Sequence, residues 1–127
     1  MIMIRWYNSP LIWVLAKFGL NLNGICLFPI VHFRKDPDKK TITHELIHER
    51  QILETWVIGF YVIYLVDFIR NLCRGHDLLA SYYFICFERE AYTYQYYGEA
   101  YLKTRERFAW VGFDPPKIPF YPGKKRG

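Results

Sequence analysis

Apolar and polar positions change rhythm several times along this chain, and each change marks an element. Leu11, Ile12, Leu15 and Phe18 recur at helical spacing. Residues 10–18 therefore read as a short helix, with Pro10 in its first turn and Gly19 after its end. Asn23-Gly24 is a turn signal. Residues 25–34 are rich in aliphatic and aromatic side chains and read as a strand. Pro29 cannot donate to a ladder, which puts that strand at an edge or gives it a bulge. Asp36-Pro37-Asp38 ends it. A long helix is expected from Thr41, as its N-cap, to about Leu72, with Gly59 marking a bend or a close packing site. Residues 70–77, with Gly75, make a loop, and a second long helix runs from about Phe87 to Arg107. Pro115, Pro116, Pro119 and Pro122 then make the tail, residues 114–127, extended and irregular. Its Lys-Lys-Arg end is expected to be mobile.

One stretch is apolar all round. Residues 56–66, from Trp56 through Val66, carry no charge, and Phe68 and Ile69 extend the run beyond Asp67. As a helix the run covers roughly 16 Å, about half the hydrocarbon core of a bilayer, so it falls short of a span. A central helix buried in its own domain is the expectation. Contact with a membrane surface, or a homodimer contact, is the alternative.

Composition narrows the class. At 127 residues, with 52% hydrophobic and 23% charged residues, the chain is a foldable single domain. Its 11 Tyr, 10 Phe and 4 Trp point to a core built on rings or to a surface that meets lipid headgroups. The net charge of +5 gathers at residues 34–40 and 124–126 and reads as solvated surface. No specific nucleic-acid partner is expected. Cys26, Cys73 and Cys86 show no CxxC spacing, so neither a disulfide framework nor a thiolate zinc knuckle is indicated. Reduced thiols fit a cytoplasmic location, with membrane association as the alternative. Lys17 interrupts the apolar run at residues 11–15, so no signal peptide is expected there.

The chemistry concentrates at His44-Glu45-Leu46-Ile47-His48. Two imidazoles four residues apart project from one face of a helix, with a carboxylate between them. That spacing suits a Zn²⁺ ion on His44 and His48, with Glu45 as general base toward an activated water. A catalytic zinc needs a third protein ligand. Of the histidines, only His76 lies downstream, whereas Phe87-Glu88-Arg89-Glu90-Ala91-Tyr92 offers two carboxylates. Glu88 and Glu90 sit about 200° apart on a helix and cannot both face one metal. Ala91, one turn from Glu88, lets the second helix approach the first. Glu88 is the expected ligand, with Glu90 in reserve.

HELIH followed by Glu-x-x-Ala resembles the gluzincin zinc metallopeptidases, and the chain is also similar to small bacterial and phage proteins with a HExxH and a FEREAY-like segment. Glu88 and Ala91 match the motif of the third ligand, while Tyr92 stands where the family has Asp. The resemblance covers the strand before His44 through about Tyr101. It implies an α+β, mainly α, minimal zincin-like domain and the ligand set His44, His48 and Glu88. It also implies an edge strand that holds an extended peptide, matched by residues 25–34.

The expected activity is zinc-dependent hydrolysis of a peptide or protein substrate, with Glu45 taking the water's proton and passing it to the leaving amine. Tyr92, Tyr96, Tyr83 and His76 all have the chemistry to stabilise an oxyanion. Gln51 follows His44 and His48 on the same helical face and can steady a ligand. Cys86 reads as a packed thiol. The alternative is a non-catalytic, zinc-stabilised interaction module, membrane-associated or in a complex. A third reading is a basic, aromatic-rich membrane-surface protein in which HExxH is fortuitous.

Overall fold

The computed structural model describes residues 3–19 and 22–111. It is α+β and mainly α, with a small mixed sheet at one end of a set of short and medium helices. The sheet comprises β1 (Ile4–Trp6), β2 (Gly24–Leu27) and β3 (Ile30–Phe33) in the order β1-β3-β2. β1 runs parallel to β3, pairing Ile4 with Ile30 and Trp6 with His32. β2 and β3 form an antiparallel hairpin that pairs Gly24 with Phe33 and Leu27 with Ile30. The single strand expected over 25–34 is therefore two strands. Pro29 falls in the turn between them, where its missing N–H costs no ladder bond. Helix α1 (Pro10–Lys17) is as expected, with Pro10 in its first turn and Ser9 capping Leu11 N.

Helix α2 (Lys39–Glu54) begins two residues before the expected start. Thr41 is not its cap: Asp38 Oδ1 accepts from Thr41 N at 2.8 Å. An Asp at that position offers its carboxylate to the unsatisfied amides of the first turn, a stronger cap than a threonine hydroxyl. The long helix expected to reach Leu72 breaks at residues 55–57, and the break is not at Gly59. Thr55 Oγ1 turns back onto Gln51 O at 2.8 Å, and Val57 N reaches Ile52 O at 2.9 Å. Trp56 (φ 59°) and Val57 (φ 65°) occupy the left-handed region. The Val57-to-Ile52 bond across a left-handed residue closes a helix C-terminus in the manner glycine usually serves, here with tryptophan in the glycine's place. Helix α3 (Ile58–Cys73) then departs at 110° to α2.

The expectation that residues 56–66 would be buried fails for most of them. On α3 only Phe60 and Asn71 are buried, because the reversal lays the helix along the outside of the molecule. Helix α4 (Leu78–Tyr83), capped by Asp77 at Ala80 N, occupies a stretch that carried no expectation. It is fixed to α3 by Asn71 Nδ2 donating to Ser81 O at 2.9 Å. The second long helix is also broken, into α5 (Cys86–Tyr94), a 3₁₀ turn at Gln95–Tyr97 and α6 (Glu99–Thr104). Gly98, at φ 62°, makes the last break. No side chain of its own segment caps α5. Asp67 of α3 does so from a distance, accepting from Cys86 N at 2.7 Å.

The main core joins the sheet to α2, α3 and α5 through Met3, Val31, Phe33, Ile52, Phe60, Ile85 and Phe87, with Phe60 and Phe87 stacked at 4.6 Å. A smaller cluster of Ile47, Ala91 and Leu102 locks α2 against α5 and α6. Ala91 is fully buried there, and its single methyl permits the close approach of α5 to α2. Cys26, Cys73 and Cys86 are all free thiols. The expected mobile tail, 114–127, lies outside the described residues.

Candidate metal centre

Helix α2 presents His44 and His48 on its inner face, and α5 brings Glu88 to meet them. His44 Nε2 lies 3.0 Å from Glu88 Oε1, His48 Nε2 lies 3.2 Å from the same oxygen, and the two Nε2 atoms are 3.1 Å apart. All three residues are buried. A tetrahedral zinc with bonds near 2.05 Å separates its donors by about 3.3 Å, so this triangle fits such an ion with little movement. The group can hold a metal ion. Glu90 is not part of it. As expected from their separation around the helix, Glu90 faces the other way, fully buried against Arg105, which meets Glu90 Oε2 through Nε at 2.5 Å and Oε1 through Nη2 at 3.0 Å.

Each histidine is oriented by a glutamine. Gln51 Oε1 lies 2.7 Å from His48 Nδ1, and Gln95 Oε1 lies 2.9 Å from His44 Nδ1. For Gln51 the amide cannot turn round. Its Nε2 donates to Phe87 O at 3.0 Å and to Glu90 Oε1 at 2.9 Å, both of which only accept. Oε1 must therefore face His48, Nδ1 must carry the proton, and Nε2 is left to point at the metal position. The chain Arg105–Glu90–Gln51–His48 thus fixes a ring and a tautomer from three residues away. Gln51 was legible in the sequence as a possible support. Gln95 was missed, although it stands two helical turns after Glu88 on the same face.

The remaining acceptor of the carboxylate is also satisfied. Tyr64 Oη donates to Glu88 Oε2 at 2.6 Å, a second residue that sequence reasoning missed. Its position on α3 becomes a neighbour of Glu88 only through the reversal at residues 55–57. Tyr92, standing where the related motif has Asp, packs its ring edge-on against His44 at 4.4 Å. Its hydroxyl lies 3.0 Å from Tyr82 Oη. Tyr83 packs against Tyr92 with the rings tilted at 44° and their centroids 4.5 Å apart, while Tyr96 is exposed on the 3₁₀ turn beneath Lys40. His76 is not brought to the centre. It sits in the turn after α3 with its ring against Phe84, and it lines neither cavity beside the ligands. Cys86 spends its backbone N–H on Asp67, and burial, aided by that carboxylate, pushes its thiol up to about 12.

Electrostatics tie the three ligands together. Burial alone would raise Glu88, but the imidazolium of His48 and hydrogen bonds from both rings outweigh it and hold its carboxyl far below the usual range. Burial alone would lower His48. Glu88 beside it wins and pushes it up to about 9. Glu45, buried between the two histidines in sequence, is raised by loss of solvent, with the histidines opposing that rise. A carboxylate so placed holds a proton more readily than one in water.

Two cavities meet at Glu45. One, of about 240 Å³, runs along β2 and is lined by Ile25, Leu27, Phe60, Tyr61, Tyr64 and Glu88. The other, of about 650 Å³, is bounded by Lys40, Leu78, Leu79, Tyr83, Tyr92 and Gln95. Leu22, Gly24, His44, Glu45 and Tyr82 line both, so the two cavities adjoin at the centre. Gly24 sits close against the base, since a Cβ there would lie 3.1 Å from Glu45 Cγ. β2 is an edge strand, as expected for the first part of residues 25–34, whereas β3, at residues 30–33, is the central strand and overturns that expectation for the rest. In an antiparallel pair alternate residues turn their amides outward. Cys26 is one of these, and Tyr61 Oη donates to its carbonyl while accepting from Phe28 N at 2.9 Å. The outward amides of Gly24 carry the edge toward Glu45. No family model, curated protein or solved structure matches this chain, so the chemistry of the centre follows from its own residues and their geometry.

Proposed function

We propose that this protein is a zinc-dependent metallopeptidase. The observation that carries the reading is Glu45: a buried carboxylate set between two histidine donors and lining both of the cavities that adjoin the donor triangle. A structural zinc site closes with four protein donors and has no use for a base beside it. Three donors of the His-His-Glu kind are the catalytic pattern. When bound, a zinc ion supplies Lewis acidity toward a scissile carbonyl and a water acidified toward about 7. Glu45 accepts the proton of the attacking water and delivers it to the leaving amine. Gln51 and Gln95 hold the two rings, and Tyr64 holds Glu88, so none needs to reorganise during the reaction. We assign to Tyr82, which lines both cavities and shares a hydrogen bond with Tyr92, the donation to the developing oxyanion. The edge of β2 gives an extended peptide backbone partners at Gly24. Phe60, Tyr61 and Leu27 favour an apolar side chain on the β2 side of the scissile bond.

The test joins metal content to cleavage. Elemental analysis should find about one zinc per chain, lost in His44→Ala and Glu88→Ala. Glu45→Gln should keep the zinc and lower kcat on a fluorogenic peptide mixture by at least about 10³-fold, the larger end of what a general base contributes. No zinc uptake, or undiminished cleavage by Glu45→Gln, overturns the proposal.

A further inference from the structure

Helix α3 is built the wrong way round for water. Its inward side carries the polar work: Tyr64 reaches Glu88, Asp67 caps α5, and Asn71 holds Ser81 O. The opposite side is aliphatic. Ile58, Val62, Leu65, Val66 and Ile69 fall within about 100° of the helix circumference, and every one is exposed, Ile58 at 75% and Leu65 at 58%. The only side chain in that arc with any hydrogen-bonding capacity is the exposed thiol of Cys73 at its C-terminal end. Trp56, 88% exposed, stands at one end of it, and Arg70 and Arg74, both exposed, stand at the other. Tyr61 flanks the stripe and binds Phe28 N, so the exposed Leu27 and Phe28 at the hairpin tip extend the same apolar surface.

We infer that this face docks the protein on an anionic lipid bilayer, with α3 lying in the plane of the headgroup–acyl boundary. A contiguous aliphatic stripe of this length is costly in water and marks a surface that is covered. Protein interfaces place aromatic and arginine anchors at their centre and hydrogen-bonding groups among them. This stripe has neither along its middle, and its composition is that of a face buried in acyl chains. The ends fit the same occupant. Tryptophan favours the headgroup level, and two arginines at the far end, on a chain of net charge +5, complement anionic headgroups. Among the described residues no single helix is long and apolar enough to cross a membrane, although α2 and α3 together reach that length and composition across their 110° bend. On its own α3, at 16 residues, is about 24 Å long and suits a position along the bilayer surface. Phe60, Tyr61 and Tyr64 of this helix line the cavity along β2. Docking therefore sets that cavity beside the lipid surface. If the peptidase reading holds, its substrate is a peptide segment at or emerging from the membrane.

Flotation of the full chain with vesicles tests the docking without any cleavage assay, so failure of the peptidase reading leaves it standing. The vesicles are equimolar phosphatidylglycerol and phosphatidylcholine, compared with phosphatidylcholine alone. The native protein should float with the anionic vesicles. Leu65→Asp combined with Ile69→Asp should lower that partition by about tenfold or more, and so should Arg70→Glu combined with Arg74→Glu. All four positions are exposed, and circular dichroism should match the native protein; if the aspartate pair misfolds, the arginine pair decides. No partition of the native protein, or undiminished partition of a folded pair, overturns the proposal. A solution dimer that the aspartate pair dissolves, without vesicle binding, assigns the face to a second copy and also overturns it.

Discussion

A single proton on His48 links the ligand triangle to solution conditions. Its pKa of about 9 in the metal-free protein, against 6.5 ordinarily, reflects Glu88 outweighing burial. A histidine raised on folding contributes stability that is fully present below its unfolded value and lost as pH rises through the folded one. Glu88, depressed on folding, contributes stability that is present above its unfolded value and lost as pH falls through its folded one. The metal-free pair is therefore strongest between about 4.5 and 6.5, the two unfolded values, and weakens toward pH 9. Zinc competes for the same Nε2. Uptake near pH 7 should release about one proton from His48, and affinity should rise about tenfold per pH unit until about 9 before flattening. Titration calorimetry in buffers of different ionisation enthalpy reads that proton directly. Uptake without proton release would show His48 already neutral in the metal-free protein.

At the scale of elements, the reversal at residues 55–57 decides most of what the molecule becomes. Had α2 continued into α3, Tyr64 would lie well beyond the centre and Asp67 could not cap α5. Trp56 pays for that reversal with a left-handed backbone, at φ 59°, which a side chain makes unfavourable by about 1–2 kcal/mol. Its ring is 88% exposed and packs on little. Trp56→Gly is thus expected to raise stability by about 1 kcal/mol, seen as a higher urea midpoint, while weakening vesicle partition through loss of the ring. A lower midpoint would mean that the tryptophan side chain, and not the backbone, sets the turn. The helix periodicity around residues 41–54 and the ligand-bearing face of α5 were legible because both are governed by local spacing. The break was not, because the chain places tryptophan and valine where glycine would have announced it.

At the scale of the whole molecule, Arg105 fastens the segment after α6 onto two helices at once. It meets Glu54 of α2 through Nη1 at 2.6 Å and Glu90 of α5 through Nε, with the three side chains at most 9% exposed. Removing a buried guanidinium leaves two carboxylates without a counter-charge, with only Gln51 and Tyr101 donating to Glu90 and Trp110 to Glu54, a change that costs about 3–5 kcal/mol. Arg105→Ala should lower unfolding free energy by that amount in urea and loosen zinc as well, since Glu90 holds Gln51. Lysine has no planar fork to serve both carboxylates, so Arg105→Lys should recover less than half. A loss under about 1 kcal/mol in the alanine variant would show that water re-enters and solvates the pair.

The sequence by itself determined which side chains meet at the centre and their nearest geometry. Four-residue spacing puts His44 and His48 on one helical face with Glu45 between them, and the angle between Glu88 and Glu90 selects the former. It also indicated the proline-led first helix, an edge strand at the start of residues 25–34 and a mainly helical α+β class. These follow from backbone periodicity, which acts over a few residues and is written in them. Only the tertiary structure decided which glutamines orient the rings, that Tyr64 satisfies Glu88, and that Glu90 serves Arg105 and no metal. It also decided that the most apolar helix faces outward. Those outcomes depend on how α2, α3 and α5 cross, which is fixed by packing among residues distant in the chain and by a reversal that no local preference announces.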